Sequence, residues 1–145
     1  MRIVVLAVGG MKEPAYRALA DEYYARVRRH CPIDEIEIAD GPRDLLGAAL
    51  DKHAKGASIV ALEARGKELD SRAFARELDR LGQRGKGDIV FVLGGKAGLS
   101  DEIVARASDL WSMSRFTFPH RLARLVLVEQ LYRATAILRN EPYAH

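Results

Sequence analysis

The sequence predicts an α/β domain, a mostly parallel sheet with helices on both faces. Two observations carry that reading. Short apolar runs rich in β-branched residues recur at Met1–Val8, Ser58–Glu63 and Asp88–Leu93, as strands covered on both faces do. Between them lie stretches whose apolar residues return at helical spacing, and strands alternating with helices imply parallel pairing.

Taken in order, "MRIVVLAV" is the first buried strand and ends at Gly9-Gly10. A helix starts at Pro14, a residue suited to a first helical turn, with Tyr16, Leu19, Tyr23 and Val27 on its apolar side and Arg17, Arg26, Arg28 and Arg29 between them. Cys31-Pro32 ends it, and "IDEIEIAD" alternates with period two, as a half-exposed edge strand would. A second helix covers Arg43 to Ala54. "SIVALE" is the next buried strand, followed by a loop containing Gly66 and a helix over Ser71–Gln83 with Phe74, Leu78 and Leu81 on one face. "DIVFVL" follows. Ser100 then caps a helix with Asp101 and Glu102 in its first turn and Ile103, Val104, Ala107 and Leu110 toward the core. "LWSMSRFTFP" reads as a short strand giving way to a loop, and His120–Leu138 as a long final helix.

A chain of 145 residues, 48% of them hydrophobic, suits one domain over residues 1–145 with its own core; there is no linker, repeat or low-complexity segment. Cys31 is the single cysteine, which excludes an internal disulfide framework. With no signal-like start and no long apolar run, a soluble cytoplasmic protein is expected. Net charge is +3 but uneven: residues 1–30 hold six Lys/Arg against three acids, residues 115–145 hold five against two, and the middle holds 12 against 15. If the fold joins the ends, they form a positive face suited to a phosphate backbone.

The glycines after the third run, Gly94, Gly95 and Gly98 in "LGGKAGLS", match neither the dinucleotide fingerprint nor a phosphate-binding loop. They fit either a tight turn or a close backbone approach to a ligand beyond the carboxyl end of a strand. The segment after Leu62 and the aperiodic "SMSRFTFPH" resemble them in style. Three such loops at one sheet edge would make an apolar slot rimmed by backbone amides and carbonyls, better matched to a nucleoside than to a triphosphate. In the final helix Glu129 and Arg133 stand four residues apart in an otherwise apolar run, where a structural ion pair is expected. A helix apolar on nearly every side also suggests a subunit interface.

"LEARGKELDSRAF", "FVLGGKAGLS" and above all "SMSRFTFPHRLARLVLVEQLYRATAILRNEPY" resemble the ribosomal RNA large subunit methyltransferase H family, small SPOUT methyltransferases, along the whole chain. The resemblance implies a C-terminal trefoil knot, a homodimer, S-adenosylmethionine as methyl donor, and N3 of a pseudouridine in 23S rRNA of the assembled 70S ribosome as acceptor. It implies no metal and no membrane. Carried over, the cofactor positions are Leu62, Gly94, Met113, Ser114, Arg115, Phe116, Thr117 and Phe118.

The N3 imide proton must leave, and the candidate catalytic residues are His120, Tyr143 and His145. His120 either meets the acceptor or orders the helix start. The tail departs from the family pattern, with Ala144 between Tyr143 and His145. Arg26, Arg28, Arg29, Arg121 and Arg124 are the candidates for binding RNA, the last two alternatively for holding a partner subunit. Cys31 and Trp111 read as packing residues, His30 and His53 as surface ones. Two other readings remain open: a knotted methyltransferase for another RNA position, such as a ribose 2′-hydroxyl, and a ribosome-associated module that binds without turnover.

Overall fold

The computed structural model describes residues 1–41 and 44–143. Five strands, β1 (Ile3–Val8), β2 (Ile33–Ile38), β3 (Ser58–Glu68), β4 (Ile89–Leu93) and β5 (Asp109–Ser112), form one sheet in the order β2-β1-β4-β3-β5. Every pairing is parallel. The helices are α1 (Pro14–Arg28), α2 (Leu45–His53), α3 (Ser71–Gly82), α4 (Asp101–Arg106) and α5 (His120–Leu138). Among the described residues no helix is long and apolar enough to cross a membrane.

Period-two alternation sorts the central strands between two cores. Ile3, Val5, Ala7, Ile89, Phe91 and Leu93 pack with α1, α3 and α5 on one face, while Val4, Leu6, Val90 and Val92 pack with Leu46 and Leu50 of α2 and Ile103 of α4 on the other. Side chains cap three helices: Asp44 accepts from Gly47 N–H, Asp70 from Ala73 N–H and Ser100 from Ile103 N–H. Arg43, where the pattern started α2, lies outside the described residues.

Four expectations need correction. Gly66 lies in no loop; β3 continues to Glu68 through a register shift between Leu62 and Lys67. A Cβ on Gly66 would stand 2.7 Å from backbone atoms of Leu110 and Trp111, so glycine is needed because β5 presses against it. The helix capped by Ser100 stops at Arg106, and Leu110 belongs to β5. Leu19 is exposed; α1 buries Ala20, Tyr24 and Val27 instead. His30 is internal, its side chain 5% exposed, with Nδ1 2.7 Å from Thr135 Oγ1 and Nε2 3.0 Å from Glu141 Oε2. Cys31 and Trp111 are buried as expected.

Candidate active site

A cleft of about 520 Å³ opens at the carboxyl edge of β3, β4 and β5, the place where open α/β sheets bind ligands. Three segments wall it: Leu62–Ala64 leaving the first part of β3, Leu93–Leu99 leaving β4, and Ser112–Pro119 leaving β5, with His120 and Ala123 of α5 closing one side. All eight residues assigned to a cofactor from the sequence line this one space. Leu93, Leu99 and Ala123, which complete the apolar walls, were missed. Their only signals are position: the last residue of an apolar run, the residue before a helix cap, and one turn beyond His120.

The glycine loop is shaped by its own backbone. Gly98 N–H donates to Gly95 O at 3.0 Å, and a Cβ on Gly94 would stand 2.5 Å from the Gly98 carbonyl carbon. Gly98, at φ +74°, has open space where its Cβ would be. Bare peptide groups therefore face the cleft, as a site that reads its ligand through backbone amides and carbonyls requires. In the facing loop Ser114 Oγ accepts from Phe116 N–H at 2.8 Å, and Ser112 Oγ donates to Ser114 O at 3.1 Å.

His120 begins α5 at the cleft wall, and its Nε2 would lie 3.8 Å from a Cβ placed on Gly9. The imidazole thus sits between the cleft and the end of β1. Tyr143 is elsewhere. Its hydroxyl donates to Glu129 Oε2 at 2.7 Å, its ring meets Tyr132 at 4.6 Å, and it lines no part of the cleft. Glu129 is about 13 Å along α5 from His120 at 1.5 Å per residue. Burial, the bond to Tyr23 and the bond to Glu129 push the Tyr143 phenol far up, so within its own subunit it is no base for the cleft. His145 lies outside the described residues.

Glu129 and Arg133 do pair, at 2.7 Å. Burial pushes the Glu129 carboxyl up, but bonds from Arg133 and Tyr143 hold it below its ordinary value.

The arginines divide. The two basic ends of the chain do meet, since α1 packs against α5. Much of that charge is spent internally. Arg124 is corrected from an RNA contact to a buried clamp: 2% exposed, it donates to Gly9 O at 3.0 Å, Glu35 at 2.9 Å and Glu37 at 2.7 Å. Arg26 pairs with Glu22 and stacks over Tyr23, and Arg121 lies 3.3 Å from Glu13. Arg28 donates to Ile33 O yet stays exposed, as does Arg29.

A family model described as "Predicted SPOUT methyltransferase" matches residues 1–145. The chain belongs to the SPOUT methyltransferases. It is 54% identical, over the full length of both chains, to the ribosomal RNA large subunit methyltransferase H of Sorangium cellulosum (strain So ce56). It is 41% identical to the protein of the same name from Exiguobacterium sp. (strain ATCC BAA-1283 / AT1b), with 99% of each chain covered. The fold is like that of a solved "probable methyltransferase" from Bordetella pertussis Tohama I, with a TM-score of 0.62 at 14% identity over 92% of this chain and 94% of that one. For a SPOUT methyltransferase, a cleft walled by backbone, small residues and apolar side chains is sufficient apparatus, because methyl transfer from an activated donor asks mainly for alignment and dryness.

Proposed function

We propose that this SPOUT methyltransferase transfers the methyl group of S-adenosylmethionine to N3 of a pseudouridine in 23S rRNA of the assembled ribosome. The observation that carries the reading is the convergence of one segment of β3 and the two loops after β4 and β5 on one cleft, in a chain whose full-length relatives are named ribosomal RNA large subunit methyltransferase H.

The cleft suits the cofactor. Its volume falls in the range of about 300–1,000 Å³ common for small ligands, Leu62, Leu93, Leu99 and Met113 offer apolar walls to an adenine, and the glycine loop offers peptide groups to its polar edges. Leu62, Gly94 and residues 113–118 would hold it, Phe116 through its backbone alone. When bound it supplies an electrophilic methyl carried on a sulfonium. The walls then align the acceptor nitrogen and exclude water. In this reading His120 accepts the N3 imide proton, or holds the carbonyl beside it as negative charge develops, a role supported by its position in the cleft lining.

The reading includes a C-terminal trefoil knot, a rare feature in proteins, supported by β5 and its loop lying beside β3 while α5 returns between α1 and α3. It also includes a cytoplasmic homodimer, supported by Leu122 and Val126, one turn apart on α5 and only half buried in the single chain.

The test is transfer of labelled methyl from S-adenosylmethionine to 70S ribosomes, 50S subunits and protein-free rRNA from cells lacking the enzyme, followed by nucleoside analysis. N3-methylpseudouridine formed with 70S particles is the expected result. A 2′-O-methylated nucleoside would move the reaction to another RNA position, and cofactor binding with no label transferred would leave a non-catalytic module.

A further inference from the structure

Phe116 is the anomaly of the cleft. It is 83% exposed, against 42% for Leu19, the next most exposed of the large apolar residues. Single exposed apolar side chains are ordinary on protein surfaces. This one stands at the mouth of the cleft, and its backbone N–H is tied to Ser114 Oγ, so the outward ring belongs to an ordered turn. Met113 and Phe118 of the same loop line the cleft with partial burial, Met113 also packing against the core, whereas the Phe116 ring is left open to solvent.

Cations flank it. The Arg115 side chain is 86% exposed, with a single 3.4 Å contact to Glu68, itself 60% exposed. Lys96 stands exposed on the same rim. Of the carboxylates nearby, Glu63 is held by Arg65 at 3.0 Å, and Glu68 takes part of the Arg115 charge across its exposed 3.4 Å contact. An exposed aromatic face beside exposed cations is how proteins hold unpaired nucleotides: the base stacks and the phosphates meet the charges.

The proposed chemistry demands such a surface. N3 lies on the Watson–Crick edge, so the acceptor pyrimidine must leave any pair and stack before that nitrogen can enter the cleft, and an extruded base loses its stacking partners. We propose that the Phe116 ring is the replacement stacking surface for the acceptor nucleobase, with Arg115 and Lys96 taking the flanking phosphates. Phe116 thus serves the RNA through its side chain, whatever its backbone does for the cofactor. This inference rests on the RNA methyltransferase reading above.

The experiment compares wild type with Phe116→Ala, Phe116→Leu and Phe116→Tyr in two assays: steady-state methyl transfer to 70S ribosomes and calorimetric binding of S-adenosylhomocysteine. Phe116→Ala and Phe116→Leu should each raise KM for the particle roughly ten- to a hundredfold, on the measured worth of base–aromatic stacking. Phe116→Tyr should stay within about threefold of wild type, and product binding should not change in any variant. Weakened product binding in Phe116→Ala would overturn the proposal by making the ring a cofactor contact. Full activity in Phe116→Leu would overturn it by making the ring a mere apolar filler, as at a subunit contact. If the wild type methylates no ribosomal particle, the functional reading fails and takes this inference with it; with an active wild type, only the inference is at stake.

Discussion

Replacing Gly66 by alanine tests whether the cleft is mechanically tied to the sheet. The new Cβ would stand 2.7 Å from three backbone atoms of Leu110 and Trp111, where ordinary contact begins at 3.4 Å. Because those atoms are backbone, no side-chain rotation relieves the clash, and β5 must retreat from β3 by about 0.7 Å or more. Overpacking of this kind costs about 2 kcal/mol, and for a chain of 145 residues that lowers Tm by about 6 °C. The same retreat moves Ser112, and with it the loop that forms one wall of the cleft. Misplacement on that scale should cost methyl transfer at least about tenfold. Urea unfolding gives the first quantity and label transfer to 70S particles the second. Stability and rate both at wild-type values would refute the reasoning, since the strands could then part without cost and the loop would owe nothing to their spacing.

Arg124→Met should lower stability by about 3 kcal/mol in urea titrations, because Glu35 and Glu37 lose their buried cation and keep only Arg17 as a charged partner, with the Tyr24 hydroxyl and the Met11 N–H as neutral donors; a loss below about 1 kcal/mol would mean that these remaining partners compensate. Tyr143→Phe removes the donor to Glu129 and should cost about 1.5 kcal/mol while raising the Glu129 pKa, followed by carboxyl NMR titration; an unmoved titration would contradict the bond. Burial works against ionisation of Glu37 and Glu129, yet their arginine partners leave both with folded pKa values below the ordinary one, so the stability they add is present above about pH 4.5 and fades as pH falls through the lower folded values. Acid titration of the wild type should show that loss, and Arg124→Met should show less of it. Light scattering at micromolar concentration should report a dimer, and a stable monomer would remove the subunit interface from the proposal.

What local pattern governs was legible in advance. The runs of β1 and β4 read as buried strands because both faces are covered, and α5 begins at His120 as Pro119 predicts. Two of the cleft segments could be found because each departs from period after a strand, and the third, Leu62–Ala64, because the apolar run of β3 stops there although the strand continues. What escaped the sequence depends on partners far along the chain. Gly66 looks like a turn until β5 is laid against it. Arg124 looks like a phosphate ligand on a helix until Glu35 and Glu37, which by alternation read as an edge strand's outer residues, close around it. His30 looks like a surface residue until Thr135 and Glu141 arrive from the other end of the chain. Composition and period carry no information about which distant polar groups will meet.

The sheet order has a consequence for how the molecule comes together in time. One of the two pairings of its central strand sets Ile3 against Ile89, so more than half the chain must exist before the centre can close, and loops that long make folding slow. The cleft needs still more: Leu62 from one side of that closure and residues 112–120 from the far end. A ligand therefore has nothing to grip until the fold is complete. It cannot seed folding, and acts only by holding the finished state, worth about 2.7 kcal/mol at a hundred times its Kd. Any stabilisation by cofactor should thus appear in the unfolding rate, with the folding rate left untouched.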